Sequence, residues 1–268
     1  MKKAIHMPSQ LLASAIQAST SAGNILKEGF GTTFSAAAKT GVHDLVTEFD
    51  KLAEDLIEAR LRKAYPGHVF LGEEAGQIGQ PHKGVVRWII DPLDGTLNFC
   101  RSIPYFCVSV AAELDGRIIC GVIYNPISGE LFSAAKGCGA YLNGGRIYVS
   151  RVSLLQSAVL SYGLPFSTKG DPGHCLRHFA NVASSGAQLL RMGSAALNMA
   201  YVAAGRFDGF MESASFPWDV AAGVILVEEA GGKVTNYDGA HYQIKRPGIL
   251  ATNGDIHKEL LAVIKGSQ

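Results

Sequence analysis

A run of hairpin signals in the middle of the chain constrains its fold more than any other feature. Phe106 to Leu114 and Arg117 to Tyr124 read as strands on either side of Asp115-Gly116, a dipeptide suited to the left-handed backbone of a tight β-turn. Asn125-Pro126 and Ser128-Gly129 mark the next turn, Glu130 to Ala135 a third strand and Asn143-Gly144 another hairpin. Together they predict an antiparallel meander. Two helices precede it. One spans about Pro8 to Phe30, with Leu11, Ala15, Ala18, Ala22 and Ile25 at helical spacing. The other runs from Thr47 towards Tyr65, with Leu52, Leu56, Ala59 and Lys63 along its expected stripe, and Pro66-Gly67 ends it. After about Ser150 the pattern alternates. Val159 to Tyr162, Gln188 to Met192, Phe207 to Glu212 and Lys233 to Asn236 read as strands. His174 to Ser184, Ser194 to Ala204 and Asp219 to Ala230 read as helices, the last stopped by Gly231-Gly232. The expected class is therefore α/β (mixed α+β). A soft boundary is expected near Ser150, between an α+β half covering residues 1–150 and an α/β half covering residues 151–268.

Composition removes several kinds of function. The 24 basic and 23 acidic residues leave a net charge of +1, so no global field draws the chain to nucleic acid or an anionic membrane. No apolar run reaches the roughly 18 residues of a membrane span, and Ser9, Gln10, Ser14, Gln17 and Ser19 interrupt the apolar residues behind Lys2 and Lys3. Cys100, Cys107, Cys120, Cys138 and Cys175 are odd in number and form no CxxC pair. They read as buried or half-buried free thiols of a reducing cytosol, so the expected location is cytoplasmic. GxGxxG, Walker, GxSxG and HExxH patterns are all absent, and His43, His68 and His241 read as surface or packing residues.

Acidic residues instead gather at element ends: Asp50, Glu73-Glu74, Asp91 with Asp94, and Asp219. A hard divalent cation needs several converging oxygens, and phosphate-ester hydrolysis without a covalent intermediate needs such a cation to offset charge and lower the pKa of the attacking water. The sharpest segment is Trp88-Ile89-Ile90-Asp91-Pro92-Leu93-Asp94-Gly95-Thr96. An apolar strand runs into Asp91, Pro92 is expected to stop it, Gly95 permits close backbone approach, and Thr96 adds a hydroxyl. From the residues alone this is either a metal turn or an Asp-rich turn. Glu73-Glu74 after Val69-Phe70-Leu71 is either a ligand pair or a solvated strand edge. Thr47 to Asp50 has capping-box spacing, and Asp219 after Pro217-Trp218 has the position of an N-cap. Gly193-Ser194-Ala195 is either a helix start lining a ligand or a small-residue helix start for close packing.

Taken together, Asp44 to Asp50, Gly72 to Glu74, Trp88 to Phe99, Trp218 to Gly223 and Glu228 to Gly232 resemble, in order, the motifs of the inositol monophosphatase family, and particularly its bacterial members. The resemblance covers nearly the whole chain. It implies a layered αβαβα sandwich, a homodimer, lithium inhibition, and two or three Mg2+ ions per active site. Position by position, it implies that Glu73, Asp91 and the Leu93 carbonyl hold one metal, and that Asp91, Asp94 and Asp219 hold a second. A weaker third ion would also touch Glu73. Thr96 and Asp50, with Glu73, would position the attacking water. The substrate would meet Glu73, Leu93, Asp94, Asp219, the N–H groups of Gly95 and Thr96, Gly193, Ser194 and Ala195 along the polyol, and Glu212, seven residues before Asp219. Residues 1–150 would thus carry most metal ligands, and residues 151–268 the substrate-binding residues and Asp219. Leu97 stands where the family often has a second threonine, and Lys39 resembles a family lysine near the metals.

The activity so implied is Mg2+-dependent hydrolysis of a small phosphorylated polyol, myo-inositol monophosphate first, without a phospho-enzyme. Fructose-1,6-bisphosphatase or another sugar or nucleotide 3′-phosphatase is the neighbouring enzymatic reading. A regulatory binding protein that keeps the phosphatase scaffold is the reading from another class.

Overall fold

Leu11, Ala15, Ala18 and Ala22 are all buried on α1 (Pro8–Gly29), joined by Leu26, while Ile25 is half-buried. The computed structural model describes residues 7–39, 45–163, 172–244, 246 and 248–266. Lys2, Lys3, His43 and Asp44 lie outside the described residues. After α1 come a short ribbon, β1 (Ala36–Ala38) against β2 (Leu45–Thr47), and then α2 (Glu48–Ala64). The capping box at α2 is real: Thr47 Oγ1 accepts from the Phe49 N–H at 3.1 Å, and Asp50 reaches back to the Thr47 N–H at 2.7 Å. The expected inner stripe of α2 is corrected. The buried face carries Asp50, Ala53, Glu54, Ile57 and Leu61, while Leu52 is 51% exposed and Ala59 and Lys63 are exposed. Two buried carboxylates on that face hide it from a search for apolar spacing alone.

Next come β3 (Val69–Gly72), β4 (Gly76–Ile78), β5 (Val86–Asp94), the short helix α3 (Thr96–Cys100), β6 (Cys107–Leu114), β7 (Arg117–Asn125), β8 (Glu130–Ala135), β9 (Gly139–Leu142) and β10 (Gly145–Arg146). They form an eight-stranded sheet ordered β10-β9-β8-β7-β6-β5-β3-β4. From β5 through β10 it is the expected antiparallel meander, and only β3 and β5 run parallel. Pro92 does not stop β5. The strand continues to Asp94 through an irregularity: Asp91 pairs with Ser109 and Asp94 with Cys107, so one extra residue is accommodated on β5. Proline is tolerated at such a bulge because the ladder there asks for no N–H.

The second half supplies β11 (Val159–Gly163), α4 (Pro172–Ser184), β12 (Gln188–Leu190), α5 (Ala195–Ala203), β13 (Gly209–Glu212), α6 (Pro217–Glu229), β14 (Lys233–Thr235), β15 (Ile249–Thr252) and α7 (His257–Lys265). Its sheet is ordered β12-β11-β13-β15-β14. β11 runs parallel to β12 and β13, and β15 antiparallel to β13 and β14. β15 and α7 are additions to the elements read from sequence.

Three apolar cores fill the four spaces between five layers, one of them lying on both sides of the middle helices. Leu11, Ala15 and Leu26 of α1 and Ile57 and Leu61 of α2 pack on Trp88, Ile90, Val108 and Val122 of the first sheet. The opposite face of that sheet, with Ile89, Ala111, Ile123 and Phe132, meets α5 and α6, which also cover Phe210, Ile249 and Ala251 of the second sheet. Leu160, Met211 and Leu250 on the far side are covered by Val182 of α4 and Leu260 and Ile264 of α7. This is the expected αβαβα order. Of the cysteines, Cys107 and Cys120 are buried, Cys100 and Cys175 partly exposed, and Cys138 is exposed against expectation, because it sits in the turn between β8 and β9. No helix among the described residues is long and apolar enough to cross a membrane.

Candidate active site

The turn after β5 is held from several sides, and this fixes where its carboxylates point. The Leu93 N–H donates to Asp91 Oδ1 at 3.0 Å, closing an Asx-type bend. Gly95 has φ 95°, a left-handed conformation that glycine adopts without steric cost. A side chain there would also meet the Tyr105 carbonyl at 3.1 Å and the Gly193 carbonyl at 3.3 Å. Asn98, in α3, donates to the carbonyls of Tyr105 at 2.7 Å and Met192 at 2.9 Å. The Asp91–Thr96 turn is thereby stitched to the segment that begins α5.

Every residue expected at the site is brought to this place. Asp50 offers Oδ2 to the Thr47 N–H and hydroxyl at 2.7 and 2.6 Å, and Oδ1 lies 3.3 Å from Thr96 Oγ1. The Thr96 hydroxyl also lies 2.9 Å from the Leu93 carbonyl, so its single proton serves one of the two at a time. Capping and site functions of Asp50 thus fall on different oxygens. Asp219 also bonds the start of its own helix. It lies inside the first turn of α6, not at the cap, and Oδ2 accepts from the Phe216 N–H at 2.8 Å. Asp94 reaches the start of α5, where Oδ2 accepts from the Ser194 hydroxyl at 2.5 Å and the Ala196 N–H at 2.7 Å. Ser194 also caps α5 by accepting from the Leu197 N–H at 3.2 Å, so its hydroxyl is engaged between helix and carboxylate. Glu212 ends β13 and is 8% exposed, with Oε2 buried and unpartnered within the protein.

The electrostatics follow from packing so many acids together. Burial, then the neighbouring Glu73, Asp94 and Asp219, pushes Asp91 well above the usual carboxylate range. Burial and then Asp94 and Glu212 do the same to Asp219. Asp94 is pushed up to about 6 by burial, against the pull of Ser194 and Ala196. Asp50 also rises to about 6, through burial opposed by its bonds to Thr47. Glu212 rises to about 8, through burial and then Asp94, with Arg191 pulling the other way. Lys39 answers part of this charge. Its ammonium bonds Glu73 at 2.8 Å and also pairs with Glu74. Burial lowers the Lys39 pKa, but the two glutamates outweigh it and the net shift is upward.

This donor set suits a hard cation: carboxylate oxygens and a backbone carbonyl, with Asp91, Asp94 and Asp219 destabilised in their charged forms by burial and by acidic neighbours. Among the described residues no three His, Cys, Asp or Glu side chains already form a shell ready to hold a metal. Glu73 is engaged by Lys39, and Asp91, Asp94 and Asp219 each commit one oxygen to a protein donor.

Sequence reasoning missed Glu54, which is 2% exposed and lies beside the Glu73-Glu74 turn. Its signal was present, four residues after Asp50 on the helix face that also carries Ile57 and Leu61. Asn98 was missed as well. Nothing local marks Asn98, whose partners are seven and 94 residues away. His68 is a packing residue, stacked on Tyr65 and accepting from Trp88 Nε1 at 3.0 Å, and His241 is at the surface.

Comparison with known proteins gives one consistent picture. A family model described as the inositol monophosphatase family matches residues 7–268. The chain is 42% identical over 258 residues to an inositol-1-monophosphatase of Mesorhizobium japonicum, covering 96% of this chain and 97% of that one. It is 41% identical over 253 residues to the Nus factor SuhB of Escherichia coli, covering 94% of each. The crystal structure of the extragenic suppressor protein suhB from Bartonella henselae superposes with a TM-score of 0.90 at 39% identity, over 97% of this chain and 100% of that one.

Proposed function

The chain belongs to the inositol monophosphatase family, and from that premise we propose that it is a Mg2+-dependent phosphatase that hydrolyses myo-inositol monophosphate to inositol and phosphate. The observation that carries this reading is the convergence of Asp50, Glu73, Asp91, Asp94 and Asp219 around one turn, where burial and then the neighbouring acids raise Asp50, Asp91, Asp94 and Asp219. Glu73, Asp91 and the Leu93 carbonyl are the proposed ligands of one ion, and Asp91, Asp94 and Asp219 those of a second. A third, weaker ion would share Glu73. Magnesium bound there supplies charge to offset the phosphate and to acidify the attacking water.

The chain's own residues do the rest. Asp50 accepts from the Thr96 hydroxyl, which frees the lone pairs of Oγ1 to accept from a water; Glu73 orients that water from its other side. The backbone N–H groups of Gly95 and Thr96 are offered to the phosphate. Glu212, with an unpartnered buried oxygen, accepts polyol hydroxyls, and Gly193 and Ala195 line the ring beside the engaged Ser194. Positioning and charge stabilisation then account for most of the rate. We further propose a cytoplasmic homodimer that is inhibited by lithium.

A phosphate-release panel of inositol phosphates, fructose 1,6-bisphosphate and adenosine bisphosphate, with and without Mg2+, tests the substrate. Mg2+-dependent release from inositol 1-phosphate is expected. Inactivity there beside strong turnover of fructose bisphosphate or the nucleotide would replace the substrate by one of those alternatives. A second reading is favoured by the relatives named Nus factor, a name that describes no enzyme: a binding protein on the same scaffold. Partner binding that survives Asp91→Asn would support it as an additional role.

A further inference from the structure

We infer that Glu54 and Gly72 form a positioning pair that sets the Glu73 carboxylate for cation binding. The inference rests on the magnesium reading of the site. Glu73 is followed by two amides that Glu54 takes: the Glu74 N–H donates to Oε2 at 3.0 Å and the Ala75 N–H to Oε1 at 2.6 Å. Glu54 comes from α2, one turn after Asp50, and is 2% exposed. Its carboxylate therefore ties the turn that carries Glu73 to the helix that carries Asp50. The two N–H donors are met by two separate acceptor oxygens of one side chain.

Gly72 makes this arrangement possible. It ends β3 directly before Glu73 and pairs with Ile90 on β5. A Cβ at position 72 would lie 2.4 Å from Glu54 Oε1, 2.6 Å from its Cδ and 2.7 Å from Oε2. The carboxylate thus lies against the bare α-carbon of Gly72, and a methyl group would push it off both amides. The backbone at Gly72 is ordinary extended strand, so the demand for glycine here is one of space. Groups that orient a metal ligand through hydrogen bonds commonly change metal affinity by about 10- to 100-fold when altered.

The test is calorimetric titration of Mg2+ into metal-free protein without substrate, alongside kcat, KM and thermal unfolding. Glu54→Gln can accept from only one amide and turns a donor towards the other. It is expected to raise the Mg2+ dissociation constant about tenfold while unfolding stays cooperative. Gly72→Ala, in which the obstructing atoms are the end of a side chain that can move, is expected to do the same. The double variant is expected to lose no more than either single one, because both changes disable one device. Unchanged Mg2+ affinity in a folded Glu54→Gln, or losses that multiply in the double variant, would overturn the pairing. Should Glu54→Gln fail to fold, unchanged affinity in Gly72→Ala would do so alone. Asp91→Asn separates the two ideas. If the wild-type protein binds no Mg2+, the magnesium reading itself fails. If Asp91→Asn abolishes binding while Glu54→Gln leaves it intact, only the positioning pair fails.

Discussion

Single atoms decide most of the chemistry here. Asp50 uses one oxygen to cap its helix and has the other near Thr96, and Asp219 commits one oxygen to the start of its own helix. Capping and site roles stood as alternatives in the sequence, and for Asp50 the cap bonds and the Thr96 contact fall on different oxygens. The spacing of Thr47 and Asp50 was readable; which oxygen faces Thr96 was not, because that depends on a rotamer set by residues 46 positions away. Thr96→Val keeps the size of the side chain and the Thr47 bonds of Asp50. It is expected to lower kcat by about a hundredfold or more with little change in KM, measured by steady-state phosphate release. Glu212 gives a pH prediction. Its carboxyl titrates near 8 in the fold, against an ordinary value of 4.5. Between those values the folded chain keeps a proton that the unfolded chain has released. Its contribution to stability is complete below about 4.5 and is lost as pH rises through about 8. Urea midpoints of metal-free protein across that window should therefore fall less steeply for Glu212→Gln than for the wild type. Parallel curves would contradict this.

At the scale of elements, local chemistry was most legible where turns dictate it. Asp115-Gly116 and Asn143-Gly144 placed β6, β7, β9 and β10, because few dipeptides suit such turns, and both Asp115 and Asn143 adopt positive φ. β15 escaped notice because it is four residues long and buried throughout, leaving no alternation to detect. Pro92 misled for a different reason: its missing N–H forbids a regular ladder but not a bulged one. The inner face of α2 was displaced because Asp50 and Glu54 occupy positions where apolar side chains were sought. That correction makes a prediction. Ile57→Ala should cost about 2–5 kcal/mol by urea denaturation. Leu52→Ala, at a site 51% exposed, should stay within about 0.5 kcal/mol of the wild type. Equal losses would restore the original stripe.

Over the whole molecule, the site draws on four layers. Asp50 and Glu54 come from the outer helices, Glu73, Asp91 and Asp94 from the ends of the first sheet, and Asp219 from a helix of the middle layer. Glu212 is added from the second sheet. The family motifs made these residues, Glu54 apart, identifiable in sequence, yet their proximity depends on how the layers stack, which no local pattern records. Unlike charges on a surface loop, these acids are fixed by secondary structure. Their mutual repulsion is therefore built into the fold, and a bound cation is expected to relieve it. Asp91 stands at the centre, its carboxyl pushed up by burial and then by Glu73, Asp94 and Asp219. The most direct test is Asp91→Asn, assayed for Mg2+-dependent phosphate release from inositol 1-phosphate and for the Mg2+-induced rise in Tm. Release should fall about a thousandfold or more, and the Tm rise seen in the wild type should vanish while unfolding stays cooperative. An Asp91→Asn protein with full magnesium-dependent activity would contradict the account.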